Sequence, residues 1–366
     1  MDTEFQTVQP QALHALVTGI LQALGVREED ARTTADVLLA ADLRGIDSHG
    51  VANLWRYVKG LQEGWINPRP TYRVLSETPA LLRLDADAGL GQPAGVYAMR
   101  RAMEKAGQIG VGVAVVRNSN HYGIAGYYAM MALERQMIGV ALTNAGVLVV
   151  PTFGRQAMLG TNPIAVAAPA GEERPFVLDM ATSVVPQGKI ATYDRLGKPI
   201  PLGWALDEEG LPTTDTHRVL VNLAERAGGG LLPLGGEGEL FGGHKGYGLA
   251  LMVDILSAVL SGAAYADTIY PKGPDGKPLP ANTGHFMMAL DVRLFRPLEE
   301  FQAAMDDLIR RLKRSEKARG QTRIYIHGEK EFEMEEVRRR EGIPLHRRVV
   351  EDLRAMAGAL GVPTPF

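Results

Sequence analysis

The sequence predicts an α/β protein, with a central layered α/β region and helical segments from both chain ends that pack together. Three observations predict it. Between residues 78 and 292, short apolar runs alternate with helix-length segments, the pattern of a layered strand-and-helix domain. Before residue 64 and after residue 298 the apolar spacing is helical almost throughout. The length of 366 residues exceeds what one hydrophobic core usually serves. Two domains are therefore expected: a discontinuous helical one over 1–77 and 296–366, and an α/β one over 78–295.

Residues 10–24 and 28–43 carry apolar side chains at helical spacing, first Leu13, Leu16, Val17 and Ile20, then Ala31, Ala35, Leu38 and Leu39. A third helix is expected over 50–63, closed by Gly64. ALLRL (80–84) reads as a strand, 94–107 as a helix, VGVAVV (111–116) as a strand and 123–135 as a helix. IGVALT (138–143), IAVAAPA (164–170) and FVLDM (176–180) read as further strands. The polar segment 194–215 is a surface excursion, and 226–246 is dense in glycine. The long apolar stretch 246–265 is expected to be a buried helix rather than a membrane span, because Asp254 at its centre would cost about 2.5–3.5 kcal/mol in a bilayer. HFMMALDV (285–292) and RIYIHG (323–328) read as strands, and 298–317, 329–341 and 345–360 as helices.

Composition narrows the function. A net charge of −3 argues against a nucleic-acid binder, and the basic runs 310–319 and 338–348 are interleaved with acids, as on solvated helix faces. With no cysteine, disulfides, thiolate metal sites and thiol nucleophiles are excluded, which fits a reducing interior. The acidic start MDTEFQTVQP lacks the basic and apolar regions of a signal peptide, so a cytoplasmic, membrane-free protein is expected. The eight histidines show no HxxxH or HExxH spacing, so no metal is expected, and no GxSxG elbow occurs.

Four stretches could carry chemistry. GLGQPA (89–94) has the GxGxxA form of a dinucleotide fingerprint, but Asp85 and Asp87 lie just upstream and the glycines stand several residues past the strand, as in a structural turn. GGHKGYG (242–248) puts Lys245 at a helix start, where free amides favour an anion; the alternative is a packing turn with a surface lysine. In RNSNHYGIAG (117–126), His121 follows a strand end, a favoured ligand position, though a loop histidine is as easily a satisfied surface group. In DLRGIDSHGVANL (42–54), His49 could exchange a proton with a carbonyl or hydroxyl, Arg44 could grip a carboxylate, and Ser48 could orient either. The competing reading there is a helix corner, with Gly45 as C-cap and Asp47 or Ser48 as the next N-cap.

Six segments together resemble the malate/L-lactate dehydrogenases of the second, non-Rossmann type, a family that includes sulfolactate and ureidoglycolate dehydrogenases, a diketogulonate reductase and a cyclic-imine carboxylate reductase. They are DLRGIDSHGV (42–51), NSNHYG (118–123), GTNPIAVAAP (160–169), VLDMATS (177–183), GWALDEEGLPTTD (203–215) and GGHKGYGLALMVDILSAVLSG (242–262). The resemblance implies a non-Rossmann cofactor domain with a mixed sheet, which removes GLGQPA as a fingerprint, plus the discontinuous helical domain. It also implies NAD- or NADP-linked hydride transfer between a 2-hydroxy acid and its 2-oxo acid, malate/oxaloacetate or lactate/pyruvate first, in at least a homodimer. By the same resemblance His49 is the proton donor and His121 the acid–base in some members. Cofactor contacts fall on Asn144, on Val177, Leu178, Asp179, Met180, Ala181, Thr182 and Ser183, on His244 and Lys245, and on His327, Gly328 and Glu329. One departure stands out: many members carry an arginine where this chain has Asn53, which leaves Arg44 or Arg56 to take the substrate carboxylate.

Overall fold

The computed structural model describes residues 4–366, so the first three residues of the N-terminal stretch and of the 1–77 segment lie outside it. In chain order the N-terminal part holds β1 (Phe5–Val8), α1 (Pro10–Ala23), α2 (Glu28–Leu43), two 3₁₀ turns at Asp47–His49 and Val51–Asn53, and α3 (Leu54–Gln62). The central part holds β2 (Arg73–Glu77), β3 (Leu81–Asp85), α4 (Gly91–Ile109), β4 (Val111–Ser119), α5 (Ala125–Met131), β5 (Met137–Thr143), β6 (Ile164–Ala168) and β7 (Phe176–Met180). There follow α6 (Gln187–Arg195), β8 (Ala205–Leu206), α7 (Thr216–Glu225), β9 (Gly230–Leu231), α8 (Gly243–Asp254) and β10 (Thr283–Asp291). The chain finishes with α9 (Leu298–Arg314), α10 (Glu329–Glu341), β11 (Ile343–His346) and α11 (Arg347–Ala359).

Seven strands form one sheet in the order β2-β3-β4-β10-β5-β6-β7, in which only β3 and β4 run parallel. The mixed sheet of the sequence reading is thus present. β10 lies at its centre although it comes from late in the chain: Met287 faces Ala114 of β4 on one side and Ala141 of β5 on the other. Alternation along the strands divides two cores. Ala114, Val116, Ala141 and Met287 pack under α4 and α5, whereas Val115, Leu142 and Phe286 pack with Val253 of α8 on the opposite face.

A separate core joins the chain ends. Leu13, Leu16, Leu38, Leu54 and Tyr57 pack with Ile343, Leu345, Val350 and Leu353, while β1 and β11 pair antiparallel from Phe5↔His346 to Val8↔Ile343. The C-terminal segment is divided in its contacts. The Asp306 carboxylate of α9 accepts the backbone N–H groups of Gly171, Glu172 and Glu173 beyond β6, so α9 docks on the sheet rather than on the end-to-end core.

Several expectations need correction. Residues 323–328 form no strand; a single bond from the Val177 N–H to the His327 carbonyl (3.0 Å) ties them to β7. The third helix starts only at Leu54, after the two 3₁₀ turns. The 246–265 stretch is α8 plus a π-helical turn at Ile255–Val259, and it is not buried all round: Met252, Ile255, Val259 and Leu260 are 38–55% exposed on one face. Arg338, assigned to a solvated basic run, is buried.

Candidate active site

The corner after α2 is held from below and from the far end of the chain. The buried Asp42 carboxylate accepts the Val51 N–H at 2.9 Å, and a Cβ at residue 50 would stand 1.8 Å from Asp42 Oδ1, so only glycine lets the corner close over it. Burial pushes the Asp42 carboxyl up to about 8. Arg338 of α10 takes the Asp42 carbonyl and both Asp47 oxygens, Oδ2 at 3.3 Å. Asp47 is therefore bound to Arg338 rather than capping a helix, and no side chain caps α3. Ser48 and His49 stand at the crest, with Ser48 Oγ 2.9 Å from His49 Nδ1 and Asn53 Nδ2 donating to the Ser48 carbonyl at 2.5 Å.

His121 comes from the loop between β4 and α5 and lies beside His49, ring centroids 5.8 Å apart and 28° between planes. Its Nδ1 is 2.7 Å from the hydroxyl of the fully buried Tyr57 and accepts the Gly123 N–H at 3.3 Å. A backbone N–H can only donate, so the neutral ring carries its hydrogen on Nε2. Arg56, one turn into α3, donates to the Tyr270 hydroxyl at 2.5 Å and has its guanidinium carbon 5.1 Å from that ring's centroid. These groups share a cleft of about 590 Å³, lined also by Ser48, Asn53, Asn144, Thr161, Gln187 and Arg226.

Electrostatics separate the two rings. Burial and then the Arg56 cation lower the His49 pKa from its usual value, whereas burial, Arg56, His49 and His285 together hold His121 well below it. Beneath them His285 is fully buried between Ser119 Oγ and Thr143 Oγ1, each at 2.8 Å, and is lowered to about 3 by burial.

A second cleft, about 250 Å³, adjoins the first along the loop that enters α5. It is lined by Arg44, Gly126, Val177, Asp179, His327, Gly328, Lys330 and Glu331, among others. Arg44 is thus absent from the histidine cleft. It is buried, paired with Glu335 at 3.2 Å, and stacked 4.5 Å from the centre of the Phe332 ring. Asp179 accepts the Gly126 N–H at 2.7 Å, and desolvation within the cleft holds its carboxyl above the ordinary carboxylate value.

The remaining site residues from the sequence fall in different places. Asn144 lines the histidine cleft, but its amide donates to the Ala264 carbonyl (2.7 Å) and accepts the Gly284 N–H (2.9 Å). Leu178 and Met180 are absent from both cleft linings, as is Ala181. Thr182 bonds the Thr161 and Asn162 carbonyls and Ser183 the Val185 carbonyl. Glu329 is buried against Lys313 and Arg323, outside the cleft its neighbours line. His244 and Lys245 are exposed at the start of α8 and line neither cleft. GLGQPA is closed to a phosphate: a Cβ at Gly91 would lie 2.1 Å from the Asn120 carbonyl, so backbone occupies that helix start. Sequence reasoning missed Tyr57 and Tyr270, a core-like aromatic and a loop residue distant in sequence. Among the described residues no group of three or more acidic or histidine side chains is placed to hold a metal ion, and no helix is long and apolar enough to cross a membrane.

Comparison with known proteins agrees over the whole chain. A family model described as malate/L-lactate dehydrogenase matches residues 8–354. The chain is 49% identical over 362 residues to a malate dehydrogenase of Pyrococcus horikoshii, covering 99% of this chain and 98% of that one. It is 39% identical over 355 residues to an L-sulfolactate dehydrogenase of Methanocaldococcus jannaschii, covering 97% of each. Among solved structures, a malate dehydrogenase of Entamoeba histolytica superposes with a TM-score of 0.94 at 38% identity, over 99% of this chain and 100% of that one.

Proposed function

The chain belongs to the malate/L-lactate dehydrogenase family, and from that premise we propose that it interconverts L-malate and oxaloacetate with a nicotinamide dinucleotide, NAD or NADP. The observation that carries this reading is the meeting of two neutral-leaning imidazoles with Arg56 in a single cleft. Arg56 replaces Arg44 as the carboxylate anchor, since Arg44 is committed to Glu335 and Phe332. Asn53, on the preceding turn, contributes an amide rather than a second charge.

The residues suit a two-part cofactor. The loop runs from one cleft to the other, with His121, Tyr122 and Gly123 lining the first and Ile124 and Gly126 the second, which offers Asp179 and Glu331 as acceptors beside Lys330. Val177, Asp179, His327 and Gly328 would hold the cofactor there; when bound it supplies or accepts the hydride. The chain does the rest. Arg56 orients the substrate by its carboxylate. The Nε2–H of His121 donates a hydrogen bond to the substrate oxygen, and His49 delivers the proton as that oxygen becomes a hydroxyl. In the oxidative direction neutral His49 removes the same proton. His49 suits the proton exchange because its pKa is less depressed than that of His121 and its Nδ1 meets only the exposed Ser48 hydroxyl.

Two further readings belong with this one. The end-to-end core over β1, α1–α3, β11 and α11 acts as one domain and the sheet with its helices, α9 included, as the other. The exposed apolar face of α8 and its π turn is where a second copy docks, giving a homodimer whose mass sedimentation would read. The reaction itself is tested by absorbance at the nicotinamide band, with NADH and NADPH against oxaloacetate, pyruvate, 2-oxoglutarate, sulfopyruvate and a cyclic imine acid. Oxaloacetate should give the highest kcat/KM; a preference for any other acid rejects the malate assignment, and no turnover with any rejects the enzyme.

A further inference from the structure

The Tyr57 hydroxyl is the nearest polar neighbour of His121 Nδ1, at 2.7 Å, in a fully buried position. With the Gly123 N–H also directed at Nδ1, that nitrogen is an acceptor, and the phenol must donate to it. The phenol oxygen then has lone pairs facing a dry interior and needs a donor of its own. The side chain on that side is Gln92, from the GLGQPA segment that binds no phosphate here. Gln92 is 0% exposed, and both of its amide atoms lack a hydrogen-bond partner. A buried amide without partners is costly, which singles this one out for a role at the phenol. Its amide works against the upward push of burial on Tyr57, as a donor next to the phenol oxygen does.

We infer that Gln92 and Tyr57 are positioning residues, forming a one-way chain of donors that ends on His121 Nδ1 and fixes its Nε2–H toward the cleft. The direction of the chain matters more than its strength. The Gly123 N–H, which can only donate, keeps Nδ1 an acceptor, so the phenol hydrogen is held toward Nδ1 and the Gln92 amide meets the phenol oxygen with its NH₂ side. His121 thereby presents a donor to the substrate oxygen at all times, while His49, with only Ser48 Oγ beside its Nδ1, remains free to exchange its proton. Arg56, His49 and His285, the charged and titratable neighbours of His121, reinforce the neutral ring without choosing which nitrogen carries the hydrogen.

The inference rests on the proposed role of His121 at the substrate oxygen, yet its test can be read without turnover. Long-range ¹⁵N–¹H spectra of histidine-labelled full-length protein, assigned with a His121→Gln variant, report which ring nitrogen is protonated. The wild type should show a single Nε2–H tautomer for His121. Tyr57→Phe, nearly isosteric, should show averaging between tautomers, with kcat for reduction lower by about tenfold and KM changed less than twofold. Gln92→Met should give a partial shift in the same direction and a kcat loss of about threefold, and it carries the same spectrum if Tyr57→Phe does not fold. An Nδ1–H tautomer in the wild type overturns the inference, as does a pure Nε2–H signal retained in both variants. Should His121→Gln instead leave kcat untouched while the tautomer behaves as described, the proposed reaction role fails and the donor chain stands.

Discussion

His49 and His121 bring the same ring to the same cleft on opposite kinds of mounting. His49 stands on a 3₁₀ corner, partly buried, with one exposed serine at its Nδ1. His121 hangs from a strand end, clasped by a buried phenol and a backbone amide. A group that must gain and lose a proton in each turnover benefits from a short route to water, whereas a group that only donates a hydrogen bond benefits from having its hydrogen fixed in place. Under the proposed roles, the difference would let one residue type serve two tasks a few ångströms apart, divided by what lies behind each ring.

The strongest way to break this comparison is to remove each ring in turn. His49→Ala should lower kcat by about 10²–10⁴-fold, the usual contribution of a positioned acid–base, with cofactor affinity unchanged. His121→Ala should cost less, about 10–100-fold, and leave the pH dependence of kcat in place. Steady-state kinetics from pH 5 to 9 check both, and the reverse order of losses would assign the proton to His121.

A smaller effect sharpens the electrostatic side. Reduction needs protonated His49, so its rate should fall as pH rises through the His49 pKa, while oxidation should rise through the same pKa. Arg56 helps hold that pKa below the ordinary value of 6.5. Arg56→Gln should therefore move both limbs to higher pH and raise KM for oxaloacetate roughly 10–100-fold through the lost carboxylate contact. Unmoved limbs would mean that burial alone sets the His49 pKa. A substrate carboxylate bound at Arg56 should shift the limbs in that same upward direction, so the substrate itself readies the acid.

The smallest change concerns stability beneath the corner. The Asp42 carboxyl is raised in the fold to about 8 from 3.8, so the folded state holds the extra proton. Its contribution is full below pH 3.8 and is lost as pH rises through about 8. Asp42→Asn keeps an acceptor for the Val51 N–H and removes the charge. Its stability by urea unfolding should exceed that of the wild type at pH 9, by on the order of 1–3 kcal/mol, and match it near pH 4. A variant less stable at both pH values would show that the carboxylate is needed in charged form.

The legibility of the site in the sequence followed locality. SHG and NHYG are short runs that each fold into one turn, but read alone each is as easily a helix corner or a surface histidine, and only the companion segments along the chain turn them into site candidates. The strands β3 to β7 and β10 were visible as apolar runs. Arg44 shows the opposite case. It is five residues from His49, yet α2 ends at Arg44 and its side chain leaves toward Glu335, 291 residues away, which no local pattern announces. Tyr57 and Gln92 look like an ordinary core aromatic and a helix-start amide, because a buried hydrogen-bond chain has no spacing of its own. β1 and β11 were missed for a related reason: each is four residues long, and neither reads as a strand until the other end of the chain pairs with it.

The clamp on the corner has a consequence for how the protein is made. Arg338 and Asp47 meet across 291 residues, and the strand pair that closes the chain ends involves residues that leave the ribosome later still. A nascent chain that has already emitted both cleft histidines, Arg56 and all seven strands of the sheet still lacks the arginine that sets the His49 corner. A chain cut before residue 338 would therefore carry both histidine motifs and the whole sheet, yet lack the side chain that clamps the His49 corner.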